Sequence, residues 1–316
     1  MKPKLYPLTF EPIYKDKIWG GRILEELLGR ELPPGAIGES WDVAAHPHGM
    51  SVVERGPLAG QTLEELVKIY GAELLGCKGV NDQEALPLLL KFIDAKQDLS
   101  VQVHPADDYV RNLGQEAWGK TEMWYIVHSE PGSWIIWGLR PGVTKEEFAT
   151  AIKKGGEAIL ACLNKVQVQP GELYPISSGL VHALGAGVVV AEIQQNSDTT
   201  YRVYDWERLD DQGKPRDLHV EQALDVIDFS LQALDMSYQF GRCEEHFKLN
   251  VLHQPSKVVL ELGDGFQILT ALQGAAQITY DGQFLTLLSG QSCLLPASLG
   301  RCELSAQGVV LQSTLP

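Results

Sequence analysis

The run LPLLLKFIDA (86–95), LSVQVHP (99–105), MWYIVH (123–128) and SWIIWG (133–138) decides the fold. Each piece is short, rich in aliphatic and aromatic residues, and broken by Pro, Asp or Gly, the signature of strands between turns. In LSVQVHP successive side chains alternate faces, so Ser100, Gln102 and His104 project together while Val101 and Val103 pack behind. Three polar groups backed by β-branched residues suit a barrel strand whose inner face lines a pocket. Lys91 adds to this, because it is a charge in an otherwise apolar run. Burying an ammonium costs on the order of several kcal/mol unless it meets an anion, so Lys91 either snorkels or finds one.

Upstream of this run the pattern is helical. RILEELL (22–28) and TLEELVKIYGAELL (62–75) carry apolar residues at helical spacing, and Thr62 with Glu65 offers a capping box. Downstream, 143–163 reads as a pair of helices parted by Gly155-Gly156. Strands resume in 165–176, 187–195 and 199–206, a last helix is expected over 219–228, and 247–316 is nearly all short strands and turns. The expected fold is mainly β, with a small helical insertion at about 143–163. The expected domains are 1–230, holding the chemistry, and 240–316, a smaller C-terminal β-barrel.

Composition narrows the class. The 316 residues carry 41 acidic against 26 basic side chains, a formal net charge of −15, which argues against nucleic acid as a partner. The 31 Gly and 17 Pro are spread through the chain and mark turns rather than a linker. Five cysteines, none in a C-x-x-C pair, rule out a zinc ribbon and fit a reducing cytosol. There is no apolar run of about 18 residues and no signal-peptide pattern, so a cytoplasmic protein without a membrane span is expected. Neither a G-x-S-x-G elbow nor a phosphate-cradling glycine loop is present.

An internal echo supports two barrels. GELYPISSGLVHAL starts at Gly171 and GQSCLLPASLGRCEL at Gly290. Aligned on these glycines, Ser177 faces Pro296, Gly179 faces Ser298 and His182 faces Arg301. Both read as turn, strand, turn, strand, and both resemble the cupin motif G-x5-P-x-G-x2-H with a different piece missing from each. Two cupin-like jelly-roll barrels, one with a ligand histidine and one without, are therefore expected.

His104, Glu122 and His182 fall in three different strand segments. Two histidines and a carboxylate form a shell for a divalent ion with positions left open for substrate. Taken alone, Lys120 and Glu122 could equally be an exposed ion pair. The other histidines, His46, His48, His128, His219, His246 and His253, show no constellation. Arg202 ends the polar stretch 195–202 and would bring a guanidinium to the barrel mouth, to hold an anion or a developing oxyanion.

In their order and spacing, LSVQVHP, GKTEMWYIV (119–127), GLVHALGAG (179–187) and NSDTTYRVYDW (196–206) resemble the type I mannose-6-phosphate isomerases, in the short bacterial form. LPLLLKF and GESWDVAAHP (38–47) extend the resemblance over most of 10–210. It implies a zinc-dependent aldose–ketose isomerase that interconverts mannose 6-phosphate and fructose 6-phosphate through an enediol. It also implies one zinc per chain on His104, Glu122 and His182, and catalytic roles for Arg202 and Lys120. Lys91, Ser100 and Gln102 would bind substrate, and Gln102 matches a fourth metal ligand of the longer eukaryotic branch. The chain departs from that branch at Ala183-Leu184-Gly185, where the longer relatives place a tyrosine, and in its much reduced helical insertion. Proton transfer needs a further group, for which Lys120 and Glu39 are candidates. Two other readings fit the same residues: a cupin-type iron(II) enzyme, and a non-catalytic sugar-phosphate-binding protein.

Overall fold

A computed structural model describes residues 2–81, 85–114, 118–209, 212–231 and 236–316. The chain enters through β1 (Ile13–Gly21), β2 (Ile37–Val43) and a small hairpin, β3 (Ala45–His46) and β4 (Gly49–Met50). Eight strands follow: β5 (Leu88–Ala95), β6 (Val101–Val103), β7 (Glu122–Ser129), β8 (Trp134–Leu139), β9 (Leu163–Gln167), β10 (Leu173–Ile176), β11 (His182–Leu184) and β12 (Val188–Gln195). β13 (Tyr201–Tyr204) leads to helices Val220–Val226 and Met236–Glu244. Eight more strands complete the chain: β14 (Lys248–His253), β15 (Val258–Glu261), β16 (Gln267–Ala271), β17 (Ala276–Tyr280), β18 (Gln283–Leu287), β19 (Ser292–Leu295), β20 (Arg301–Ala306) and β21 (Val309–Thr314).

The two sets of eight pair alike. The first forms sheets β5-β12-β7-β10 and β6-β11-β8-β9, the second β14-β21-β16-β19 and β15-β20-β17-β18. Each strand of the first set thus corresponds to the strand nine places later, and all pairings are antiparallel. These are two jelly-roll barrels of one plan. The echo falls where the sequence puts it, since β11 opens on His182 and β20 on Arg301 after equivalent turns.

The barrels differ in what fills them. Leu260, Leu269, Ile278, Leu295, Leu304 and Val310 pack the second into an apolar core. The first receives extra strands at its edges: β2 joins β5, and β13 joins β6. Those additions carry Glu39, Trp41 and Arg202 to the polar end of the first barrel.

The helical insertion consists of Lys145–Lys154 and Gly156–Leu160, broken at Gly155 (φ +73°). The Thr62–Glu65 capping box is present, but the expected helix over 62–75 turns at Gly71 (φ +50°) into two, Leu63–Tyr70 and Ala72–Gly79. Sequence reading gives no sign of β1 and β2. Their segments, IYKDKIWGG and IGESWDV, interleave charged and apolar residues, and β2 nevertheless lies wholly buried. Helix Met236–Glu244 is likewise unmarked in the sequence reading.

A buried ion pair ties the two barrels together. Arg30 Nη1 donates to Asp42 Oδ1 at 2.8 Å and Nη2 to Oδ2 at 2.6 Å, while Ser292 Oγ of β19 donates to Oδ2 at 3.0 Å. Both charged side chains are about 5% exposed. Arg30→Ala would strand the Asp42 carboxylate away from water, a loss of roughly 3–5 kcal/mol. Urea unfolding should show this as a lower midpoint.

Candidate metal centre and cavity

β6, β7 and β11 deliver the three ligand candidates to one point. His104 follows β6 directly, Glu122 opens β7 and His182 opens β11, and all three are at most 1% exposed. Their ligand atoms lie within 4.8 Å of one another. His104 Nε2 and His182 Nε2 are 3.1 Å apart, with Glu122 Oε2 3.5 Å from the first and Oε1 3.4 Å from the second. Val101 and Val103 pack behind, in the core with Ile136 and Phe148, as the period-2 reading requires.

The hydrogen bonds set the proton positions. His104 Nδ1 donates to the Thr199 carbonyl at 2.8 Å, and His182 Nδ1 to the Leu180 carbonyl at 2.9 Å. Each ring therefore carries its proton on Nδ1 and turns a lone pair on Nε2 toward the other ring. Burial, and then the Lys120 charge, push the His104 pKa down to about 3. His182 is lowered as well, chiefly by burial. Burial works to raise the Glu122 pKa, but Lys120 and His104 outweigh it and hold the carboxylate well below its usual range. Apart from the Lys120 ion pair, neither Glu122 oxygen has a hydrogen-bond partner among the described residues. Lys120 Nζ, 3.2 Å from His104 Nε2 and 3.0 Å from Glu122 Oε2, supplies positive charge among these groups, in a place a metal ion would contest. This donor set fits a divalent zinc or iron ion.

A cavity of about 200 Å³ opens beside this centre. Lys91, Ser100, Gln102, Lys120 and Arg202 all line it, as does Glu39. Gln102 Nε2 lies 3.3 Å from His182 Nε2, and Ser100 Oγ donates to Gln102 Oε1 at 3.3 Å. Rotation of the Gln102 amide would turn its oxygen toward the centre instead. Lys120 Nζ sits 3.0 Å from Glu122 Oε2, and the pair is buried, so the exposed ion-pair reading of Lys120 and Glu122 is overturned. Arg202 stands opposite Gln102 in the β13–β6 register, and its buried Nε has no partner among the described residues. Grooves of about 450 and 540 Å³ lie elsewhere, around Arg30 and beside Asp94, but neither carries such a donor set.

Lys91 does not snorkel. It meets Glu192 at 3.0 Å and Glu39 at 3.8 Å. Burial opposes its charge, yet Glu192, Glu39 and Glu122 raise its pKa and keep it an ammonium. Glu192 is the residue that sequence reading passed over, although its signal was the same: one acid in the apolar run GVVVAEIQQ, directly across β12–β5 from Lys91. Arg216, Asp198 and Lys17 also line the cavity from loops and an edge strand. Two of the remaining histidines do converge, since His46 and His48 both meet Asp198.

Two family models match: "Phosphomannose isomerase type I, catalytic domain" over residues 8–122, and "Mannose-6-phosphate isomerase, cupin domain" over 238–315. The Bacillus subtilis (strain 168) protein described as "Probable mannose-6-phosphate isomerase GmuF" is 46% identical over 307 residues, covering 93% of this chain and 95% of its own. Mannose-6-phosphate isomerase ManA of the same strain is 35% identical and covers 98% of this chain and 99% of its own. The crystal structure of the mannose 6-phosphate isomerase from Bacillus subtilis superimposes with a TM-score of 0.85 at 30% identity, over 97% of this chain and 99% of its own. Among the described residues, no helix is long and apolar enough to cross a membrane. With sequence and fold both matched over nearly the whole length, the chain is an enzyme of the type I phosphomannose isomerase family.

Proposed function

We propose that the chain interconverts mannose 6-phosphate and fructose 6-phosphate by proton transfer through an enediol, with one zinc ion on His104, Glu122 and His182. The observation that carries this reading is the convergence of His104 Nε2, His182 Nε2 and the Glu122 carboxylate within 4.8 Å, beside a cavity that Lys91, Lys120 and Arg202 help to line. Zinc held there would supply Lewis acidity toward the sugar's carbonyl and neighbouring hydroxyl oxygens. The chain's own groups do the rest. Arg202, half-buried and without a carboxylate partner among the described ion pairs, offers fixed positive charge for oxyanion or phosphate oxygens. An ion on Glu122 would compete with Lys120 for that carboxylate and release the ammonium to substrate. Ser100 and Gln102 supply neutral hydrogen-bonding groups between the centre and Arg202. Glu192, buried and raised by burial and then by the Glu122 charge, is placed to move the proton.

In the same reading the chain divides into a catalytic domain over 1–230 and a degenerate barrel over 240–316. Five free cysteines support a cytoplasmic setting. The test is a coupled assay of mannose 6-phosphate turnover. Chelator should abolish turnover and zinc add-back should restore it. Iron in the purified protein, with oxygen uptake and no isomerisation, would replace this reading by the iron(II) one.

A further inference from the structure

We propose that Asp198 is a positioning residue for His104, acting through the β12–β13 loop, which it fastens to the β3–β4 hairpin. This rests on the metal reading of His104, Glu122 and His182. The Thr199 carbonyl, 2.8 Å from His104 Nδ1, sets both the tautomer and the rotation of that ring. Thr199 itself lies in the loop between β12 and β13, outside any strand.

One backbone bond, from Asn196 N–H to the Pro87 carbonyl at 2.9 Å, and several side chains hold the loop. Asn196 Nδ2 donates to the Ala45 carbonyl at 2.8 Å and to the Leu86 carbonyl at 3.0 Å. Asp198, adjacent to Thr199, engages two imidazoles of one hairpin, His48 through Nδ1 and His46 through Nε2 at 3.6 Å. The hairpin is anchored in turn, because Lys15 Nζ donates to the His48 carbonyl and the Trp41 ring meets His46 edge-on at 5.8 Å. Three ties thus run from β3–β4 to the four residues that end in the Thr199 carbonyl.

The ligand atoms of His46, His48 and Asp198 also lie within 4.8 Å of one another, close enough to suggest a second metal site. The tautomer points to a latch instead. His46 Nδ1 accepts the backbone N–H of His48 at 3.1 Å, so the ring proton sits on Nε2, the nitrogen that faces Asp198. A protonated nitrogen donates to a carboxylate and does not ligate a cation.

Asp198→Asn keeps the side chain's shape but removes its charge and one acceptor oxygen. Zinc affinity of the full chain, read by competition with a chelator and without substrate, should weaken about tenfold, the low end of what losing support to a ligand histidine costs. The thermal midpoint of the metal-free protein should stay put, Asp198→Glu should recover part of the affinity, and the His46→Ala/His48→Ala double variant should reproduce the loss. Unchanged zinc affinity in Asp198→Asn overturns the inference. So does a second zinc equivalent in the unaltered chain that disappears in His48→Ala, which would make the cluster a metal site. If the unaltered chain binds no zinc at all, the metal reading itself fails, a different result from binding that is insensitive to Asp198.

Discussion

His182→Ala and His104→Ala are each expected to purify with little or no zinc and to lose at least about 10³-fold in turnover, since a bound Lewis acid supplies several kcal/mol to a developing oxyanion. Removal of either ring leaves one imidazole and Glu122, and Lys120 already stands 3.0 Å from that carboxylate. An internal ammonium against a two-ligand remnant favours the ammonium. Without metal, Lys120 Nζ lies 3.2 Å from His104 Nε2 and Gln102 Nε2 lies 3.3 Å from His182 Nε2, so removing either ring costs a contact and opens a void. Added zinc should raise the thermal midpoint of the unaltered chain by mass action and leave both variants where they were. Stoichiometric zinc and full turnover in both variants would sink the assignment. Loss of zinc with full turnover would separate metal binding from the reaction.

The face that carries His104 was legible in sequence because barrel strands obey a period of two. Ser100, Gln102 and His104 had to share a face, and the valines between them had to pack behind. Lys91 was legible as a charge where water is excluded. Glu192 sends the same signal from the facing strand and completes the ion pair, so it was readable on physical grounds. Other parts depend on contacts that no local pattern encodes. β1 and β2 look like surface segments because their polar residues are buried by pairing with one another and with Arg30, Lys17 and Lys91. Asp198 and Arg216 reach the cavity from loops, whose course is set by the hairpin and the sheet edges around them. The acidic net charge hid a balanced interior, in which Lys91 is neutralised by Glu192 and Glu39, Lys120 by Glu122, and Arg202 has no carboxylate partner among the described ion pairs.

Glu192→Gln is expected to lower kcat by about 10²–10⁴, the usual range for losing a positioned acid or base, with zinc content unchanged. Three groups that face the cavity, Glu39, Lys120 and Glu192, are candidates to move the proton. Glu39 accepts the Trp41 indole N–H at 2.7 Å and pairs with Lys17 at 3.2 Å. Burial opposes its charge, but Lys91 and Lys17 win and hold its pKa at about 2, too low to take a proton from carbon near neutral pH. Lys120, paired with Glu122 at 3.0 Å, would be released toward substrate by an ion on that carboxylate and so stays a rival for the role. Of the two carboxylates, Glu192 is the one shifted the useful way, because burial and then the Glu122 charge raise its proton affinity against the pull of Lys91. Its position is fixed from both sides of a central strand. Lys91 of β5 lies 3.0 Å from Oε1, and Trp124 of β7 donates to Oε2 at 2.7 Å. Glu39→Gln is the matched control, the same change of charge on the same lysine. It should keep kcat within about tenfold and show its loss in stability instead, since Lys91 and Lys17 are left under-compensated. Exchange of the substrate's C2 hydrogen with solvent should vanish in Glu192→Gln and persist in Glu39→Gln. Equal losses of kcat and exchange in the two variants would mean that charge balance around Lys91, not proton transfer by Glu192, sets the rate.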